Sequence, residues 1–515
     1  MMLTGEMLRR SADRFADKPA IVCDDRQISY RELDDRANQL AHALLALNLG
    51  KGGKIAILAR NIIEYGIVFF GAARTGYVLN NLSLLHTVDE LAYAIEKTDV
   101  EALIFDAVVA ADVAKLLPRV GGRLKKIVSI GEANGIDAVD FYTFIANQPR
   151  QPPDVAIDER DPYCMTYTGG TTGRPKGVLC DHRARSITAY TAMIEQMIDE
   201  RDVVGVVTPL YHIAALHLTF QPAILAGAVT VFLPKWSPQG FMEIAEKHGV
   251  NTSFMVPTQA TRLLADPAFK PERLKSWRKA NFAGAPMPDW VQIELMRMFP
   301  ELMITQNYGQ SEMGMVVVLR HWYLPEKLGA VGRQAINVDI RVVRPDGTPV
   351  EPGEIGEVVS RGDNLMLEYY GEPEQTAEFF RHGDGWGWSG DLARIDEDGF
   401  ITLVDRSKDM IISGGENVFP KEIELVIYEL AEVGECAVFG IPDEVWGEVP
   451  AAFIVLKSGA ILDEKRIVEH CMGRLARFKR PRLVRFVTEF PKTPVGKIQK
   501  NVLREEFWSD RDKRI

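Results

Sequence analysis

Apolar positions in this chain recur with two periods, and the alternation between them predicts the architecture. From Ile28 the segment ISYRELDDRANQLAHALLAL repeats its apolar residues at helical spacing, with Leu33, Ala37, Leu40, Ala41 and Leu44 on one face. Ser29 stands three residues before Glu32, the spacing of a capping box, so a helix is predicted to begin there. Short apolar runs follow: KIAILAR from Lys54, ALIFDAVV from Ala102 and KIVSIG from Lys126, separated by helix-length stretches of mixed polarity. Apolar runs of strand length mark strands buried on both faces, and their alternation with helices is the rhythm of βα units. The rhythm returns at AVTVFLP from Ala228, NTSFMVP from Asn251 and LMITQNYG from Leu302. The expected fold class is α/β: a large N-terminal body of doubly wound character, with ligand loops at the carboxyl ends of its strands.

After about Ala335 the pattern changes to closely spaced strand-like pieces and Gly/Pro turns, as in IRVVRPDGTPVEPGEIGEVVSRG. This predicts a β-rich subdomain over about 335–407, belonging to a body of residues 1–407. DRSKD at 405–409 is a compact charged segment, and beyond it a new mixture of helix (PKEIELVIYEL) and strand (ECAVFGI, AAFIVL) begins. A small α+β C-terminal domain over 408–515 is expected, with the boundary near Lys408.

Composition narrows the class. A chain of 515 residues, 46% hydrophobic and 25% charged, exceeds one ordinary core and is too apolar for disorder. Sixty basic residues against seventy-one acidic ones, a formal charge of -11, argue against a dedicated nucleic-acid surface, so any anionic ligand is held locally. Five cysteines are scattered without a C-x-x-C pair, which speaks against zinc or a disulfide framework and for a reducing cytoplasm. No apolar run approaches the roughly 20 residues that cross a bilayer. The start, MMLTGEMLRRSADRF, is patterned as an amphipathic helix and not as a signal peptide; it leaves room for weak membrane contact. A homodimer is compatible with the sequence.

The segment YTGGTTGRPKG, Tyr167 to Gly177, concentrates chemistry. Gly169, Gly170 and Gly173 lack Cβ atoms, so their N–H groups are able to converge on phosphate oxygens. Thr168, Thr171 and Thr172 add hydroxyl donors and Lys176 adds charge. No G-x-x-x-x-G-K-[ST] occurs, so a Walker A geometry is not indicated. QNYGQSE at 306–312 follows an apolar run and is expected on a loop at a strand end, presenting an aromatic face, a hydroxyl and a carboxylate together. Further candidates are NFAGAPMP at 281–288, PLYHIAALH from Pro209, WSGD from Trp388, DRSKD, SGGENVFP from Ser413, IPDEVWGE from Ile441, ARFKRPRLVRF from Ala476 and PKTPVGKIQK from Pro491.

In order and spacing these segments resemble the AMP-forming acyl-CoA synthetase, adenylation-domain and luciferase superfamily over nearly the whole chain. The resemblance implies ATP, Mg²⁺ and coenzyme A as ligands, and a carboxylic acid activated as its acyl-adenylate before transfer to the thiol. It implies a phosphate loop from Thr168 to Lys176, with Thr168 and Glu312 near the metal. Tyr308 packs on adenine within Asn307, Tyr308 and Gly309, Ser311 contacts the α-phosphate, and Gly284, Ala285 and Pro286 line the adenine and acyl sites. Asp391 and Arg406 hold the ribose, Lys497 is the adenylation lysine, and His212 borders the acyl pocket. Lys408 is the hinge about which the C-terminal domain rotates between half-reactions. Gly414 and Gly415 flank the pantetheine tunnel, and Trp446, Phe478 and Arg480 serve coenzyme A.

Gly169 replaces the family's usual serine, Ser311 and Ser389 replace threonines, and NNLSLLHTVDE from Asn80 lacks the arginine that reaches coenzyme A in many relatives. Tyr211-His212 stands where amino-acid-activating domains carry Phe-Asp. An acceptor other than coenzyme A, such as a carrier protein, a luciferase-like oxidase and a non-catalytic nucleotide-binding relative remain alternatives; Lys497 and Glu312, which the last would lose, are present. The apolar segments AALHLTF and MGMVVVL, with no evident second cation, favour a fatty or aryl monocarboxylate.

Overall fold

The structure, a computed structural model, describes residues 2–169, 175–285, 287–414, 416–492 and 498–508. The chain gathers into two compact units, Met1–Ile340 with Ser360–Gly387, and Arg341–Val359 with Trp388–Ile515.

In the first unit the predicted helix runs Tyr30–Leu45. Ser29 Oγ accepts from the Glu32 N–H at 3.2 Å and the Ser29 N–H donates to Glu32 Oε2 at 3.3 Å, closing the capping box. Leu33, Ala37, Leu40, Ala41 and Leu44 are all buried. The N-terminal amphipathic pattern becomes the helix Thr4–Phe15. Every run read as a strand in this part forms one, and the strands assemble into two large sheets.

One sheet has nine strands, ordered Arg333–Gln334, Gly314–Leu319, Met303–Gln310, Lys279–Phe282, Thr252–Met255, Val203–Val206, Val229–Phe232, Pro19–Cys23 and Arg26–Ser29. Its middle, from Met303–Gln310 to Pro19–Cys23, is parallel and its ends are antiparallel hairpins. The other has eight strands, ordered Glu368–Tyr369, Pro175–Asp181, Pro162–Gly169, Val78–Asn81, Lys54–Leu58, Val100–Asp106, Lys126–Ile130 and Val139–Asp140. Successive side chains alternate between cores, as strand geometry requires. Ile21 and Cys23 of the first sheet share one core with Ile55, Ile57 and Ile104 of the second, whereas Val22 and the pair Ala56 and Leu58 belong to separate outer cores. The helix Ile63–Ala72, apolar except for Glu64 and buried along its whole length, lies in the shared core.

The second unit carries the four-stranded sheet Asp339–Val343, Ile355–Arg361, Gly387–Ile395 and Ile401–Arg406, whose outermost residues belong to the first unit. It also carries a five-stranded sheet led by the long hairpin Val433–Asp443 and Gly447–Leu456. Helices Pro420–Tyr428 and Glu464–Met472 cover the latter through Ile423, Ile427, Ile467 and Cys471. Residues 341–359 and 388–407, which the sequence rhythm assigns to the large body, therefore cluster with the C-terminal residues. A local reason is that Lys421, at the start of its helix, donates its backbone N–H to Asp405 Oδ2 at 2.9 Å and its Nζ to the Leu403 carbonyl at 2.8 Å.

All five cysteines are free and buried. Burial pushes the Cys23 and Cys164 thiols up to about 12 and those of Cys180 and Cys471 up to about 11. No described helix is long and apolar enough to cross a membrane.

His182, buried and stacked on Tyr163 with ring centroids 4.4 Å apart, is brought down by burial to about 4. Between that value and the ordinary 6.5 the unfolded chain binds the additional proton, so stability falls as pH falls through this window, by up to about 1.4 kcal/mol per unit. His182→Gln is expected to reduce the drop in urea midpoint between pH 6.5 and 4.5. An unchanged slope would assign the linkage to other groups.

Candidate active site

The phosphate-loop candidate connects the antiparallel strands Pro162–Gly169 and Pro175–Asp181. Thr168 pairs with Lys176 and Gly169 with Pro175, so the hairpin brings its flanking hydroxyl and ammonium to adjacent positions. Gly170, Thr171, Thr172 and Gly173 lie outside the described residues. The base of the hairpin is firm: Tyr167 OH donates to Asn80 Oδ1 at 2.9 Å and shares a hydrogen bond with Thr98 Oγ1 at 3.2 Å.

Lys176 Nζ stands 5.1 Å from the centroid of the Tyr369 ring, and Tyr369 OH donates to Glu312 Oε1 at 2.8 Å. Burial holds the Lys176 ammonium below its ordinary range, an effect that the Glu312 and Glu372 carboxylates oppose. Tyr369 reaches this position because Glu368–Tyr369 adds to the hairpin, with Tyr369 opposite Val178. Sequence reasoning missed it; the only signal is an aromatic pair before Gly371, whose φ of +67° turns the chain.

QNYGQSE departs from the loop expected of it. The strand continues through Gln310, antiparallel to Gly314–Leu319, and only Ser311–Met313 turn. The cause is the partner run MGMVVVL, which supplies a ladder for residues that would otherwise leave the sheet. Gln306 Nε2 donates to Gln292 Oε1 at 2.7 Å, on the helix Asp289–Met298, so Asn307 faces the other side of the sheet from Gln306. Both amide atoms of Asn307 are buried without a hydrogen-bond partner among the described residues. Tyr308 and Glu312 are buried. A Cβ on Gly309 would lie 1.9 Å from the Gly314 carbonyl oxygen. Gly309→Ala is accordingly expected to cost about 1–3 kcal/mol or more, because the clash is with backbone, and to lower the thermal midpoint of purified protein. A midpoint equal to wild type would contradict the close approach.

Gly284 and Ala285 are exposed at the carboxyl end of Lys279–Phe282, with Gly284 at φ +88°; Pro286 lies outside the described residues. His212 precedes the short helix Ile213–Ala215, its ring 4.7 Å from that of Tyr211. His217, to which the sequence assigns no role, is fully buried between Gln221 Oε1 at 2.7 Å and Cys164 Sγ at 3.3 Å, and burial keeps it neutral.

In the second unit Asp391 and Arg406 are cross-strand partners, and Arg406 Nε donates to Asp391 Oδ1 at 3.1 Å. The turn before Asp391 is tied down by Ser389 Oγ donating to the Val358 carbonyl at 2.6 Å and by the Gly390 N–H donating to Glu357 Oε1 at 2.8 Å. Gly414 lies against Trp446: its N–H donates to the Trp446 carbonyl at 2.8 Å, and a Cβ would come 2.5 Å from the indole. Gly415 and Lys497 lie outside the described residues.

The basic segment near Phe478 is partly committed to the fold. Arg480 donates Nε to the Leu475 carbonyl and Nη2 to the Met472 carbonyl, both at 3.0 Å, and Lys479 pairs with Glu422 at 2.7 Å. Phe478 packs on the core, while Arg477 and Arg482 remain exposed. Among the described residues no cluster of His, Cys, Asp and Glu forms a dedicated metal cage.

The fold, an α/β body accompanied by a separate small C-terminal part, is that of adenylate-forming ligases: the solved anthranilate CoA ligase AuaEII, in complex with anthranoyl-AMP, superposes with a TM-score of 0.89 at 26% identity, covering 98% of this chain and 97% of that one. The AMP-binding enzyme family matches residues 8–370 and the AMP-binding enzyme C-terminal domain matches residues 422–497. The chain belongs to this family of AMP-forming ligases. It is 36% identical to a feruloyl-CoA synthase of Amycolatopsis sp over 93% of this chain and 94% of that protein. It is 32% identical to a long-chain-fatty-acid–CoA ligase of Mycobacterium tuberculosis over 98% of each. The solved structure of the amide bond synthetase McbA from Marinactinospora thermotolerans superposes with a TM-score of 0.87 at 28% identity, covering 98% of this chain and 100% of that one.

Proposed function

We propose that this protein is an ATP-dependent acid–coenzyme A ligase that activates a fatty or aryl monocarboxylic acid as an acyl-adenylate and then transfers it to the thiol. The observation that carries the reading is the grouping of Lys176, Tyr369 and Glu312 beside the hairpin that bears the phosphate-loop sequence. A carboxylate is a poor electrophile, because its leaving group would be oxide. Attack of its oxygen on the ATP α-phosphate breaks the α–β phosphoanhydride bond and releases pyrophosphate, makes AMP the leaving group of the next step and needs no protein nucleophile.

In this reading Thr168 and the glycines that follow cradle phosphate oxygens, Lys176 and Lys497 supply positive charge, Ser311 meets the α-phosphate, and Tyr308 packs on adenine near Gly284, Ala285 and Pro286. Asp391 and Arg406 hold the ribose hydroxyls. A lone buried carboxylate suits Mg²⁺, which keeps several waters and binds mostly through phosphate, so Glu312 would hold it with Thr168 nearby. When bound, the ion supplies Lewis-acid neutralisation of the phosphates. His212 borders the acid, Gly414, Gly415 and Trp446 flank the pantetheine arm, and Phe478 and Arg480 serve the coenzyme's far end. The second half-reaction proceeds after rotation about Lys408, and a cytoplasmic site of action fits the free thiols.

Amide formation by the similar synthetase McbA supports a second reading, in which an amine replaces the thiol as acceptor. Coenzyme-A-dependent AMP formation, measured with ATP and Mg²⁺ across fatty, benzoic, cinnamic and dicarboxylic acids, separates the two. AMP and thioester appearing together with one acid class, and absent in Lys497→Ala, is the expected result. Acid-dependent pyrophosphate without thioester would favour the other acceptor, and no turnover with any acid would count against both.

A further inference from the structure

The helix His182–Glu195 carries Arg185 on a buried face, and this side chain has no solvent exposure at all. Its Nη2 donates to the Ser311 carbonyl at 3.3 Å. Nε and Nη1 are buried and find no hydrogen-bond partner among the described residues. The surroundings are of low polarity: the charge acts on Tyr163, Cys164 and Cys180, all fully buried, and on the buried His217. Cys180 also senses Glu312 and Asp181, which places Arg185 and Glu312 in one electrostatic neighbourhood; Asp181 is already paired with Arg160.

A buried guanidinium left without a counter-charge is costly, and replacing such a group by an apolar side chain often stabilises a fold. Its retention needs a compensating gain. Lys176 and Arg185 share Glu312, because Glu372, the other carboxylate that acts on Lys176, pairs with Lys97 at 3.1 Å. The peptide that Arg185 holds is the one joining Ser311 to Glu312. Because a trans peptide points its C=O and N–H in opposite directions, drawing the Ser311 carbonyl toward Arg185 turns the Glu312 N–H away from it.

We infer that Arg185 is a positioning residue whose buried charge is balanced by the phosphates of the bound nucleotide, and that it fixes the Ser311–Glu312 turn for them. The inference rests on the nucleotide reading given above. Low local polarity makes the effect long-ranged, so Arg185 acts without touching the ligand.

Equilibrium binding of ATP, AMP and adenosine to the full chain, with Mg²⁺ present and thermal midpoints recorded with and without nucleotide, tests this in wild type and in Arg185→Met, Arg185→Gln and Arg185→Lys. Arg185→Met is expected to match or exceed the wild-type midpoint without nucleotide, yet to bind ATP about tenfold or more weakly while binding adenosine normally. Arg185→Gln keeps a donor for the Ser311 carbonyl but no charge, and should lose ATP affinity similarly; Arg185→Lys should recover most of it. Wild-type ATP affinity in Arg185→Gln overturns the inference whether or not Arg185→Met folds. Equal losses for ATP and adenosine would overturn it too, by making Arg185 a packing residue. Absence of ATP binding to the wild type would instead remove the nucleotide reading itself.

Discussion

Glu312→Gln is expected to slow acyl-adenylate formation by about 100-fold or more with little change in thermal midpoint, as measured by acid-dependent pyrophosphate release. Glutamine keeps the volume and the oxygen that accepts from Tyr369 OH at 2.8 Å, so the geometry is preserved and the charge alone is lost. Part of the deficit should be recovered by raising Mg²⁺, because a weaker metal site is filled by mass action. Tyr369→Phe, which leaves the carboxylate and removes one hydrogen bond, should cost only about fivefold. A Glu312→Gln enzyme with the wild-type rate would refute the metal role, and a Tyr369→Phe enzyme more impaired than Glu312→Gln would move the chemistry to the tyrosine.

The second large effect concerns timing. Lys408→Pro is expected to slow thioester formation by about 50-fold or more while changing adenylation by less than about threefold. Ser407–Asp409 form a single tight turn. Proline at 408 fixes its own φ and drives the preceding residue out of the helical region, so the segment loses alternatives. The two acids that bracket it are held: Asp405 by the Lys421 N–H at 2.9 Å, and Asp409 by Arg504 Nη1 at 3.1 Å. Lys421 and Arg504 both follow Lys408 in the chain, so rotation about Lys408 leaves the Asp409 bond intact and has to break the Asp405 one. Separate assays, pyrophosphate release for one half-reaction and thiol consumption from supplied acyl-adenylate for the other, give the ratio. Equal slowing of both would sink the hinge assignment.

Strands with continuous apolar runs, and the helix announced by Ser29 and Glu32, were legible because their signals are local: a period, a cap, a flanking polar stretch. The α/β class followed from their alternation, whereas the clustering of residues 341–359 and 388–407 with the C-terminal residues did not. The extension of QNYGQSE into a hairpin was not legible, since its strand exists only through a partner that comes later, and Gly309 looks like any turn glycine until Gly314 lies against it. Tyr369 joins the site through a two-residue strand too short to leave a pattern. Arg185 sits in the helix HRARSITAYTAMIE, and only its burial reveals the cation as unusual. The commitment of Arg480 and Lys479 to internal bonds was equally hidden, because a basic run gives no hint of which members the fold itself employs.

The five buried thiols bear on selectivity against self-modification. An acyl-adenylate is reactive toward any accessible thiolate, and a protein that waits for an external thiol must not offer its own. Cys164 and Cys180, in the two strands that lead into and out of the phosphate hairpin, are the ones nearest this hazard; both are fully enclosed and protonated at neutral pH. On the proposed function this reserves the activated acyl group for the incoming acceptor, and the native state should be inert to alkylating reagents that label all five cysteines once it unfolds.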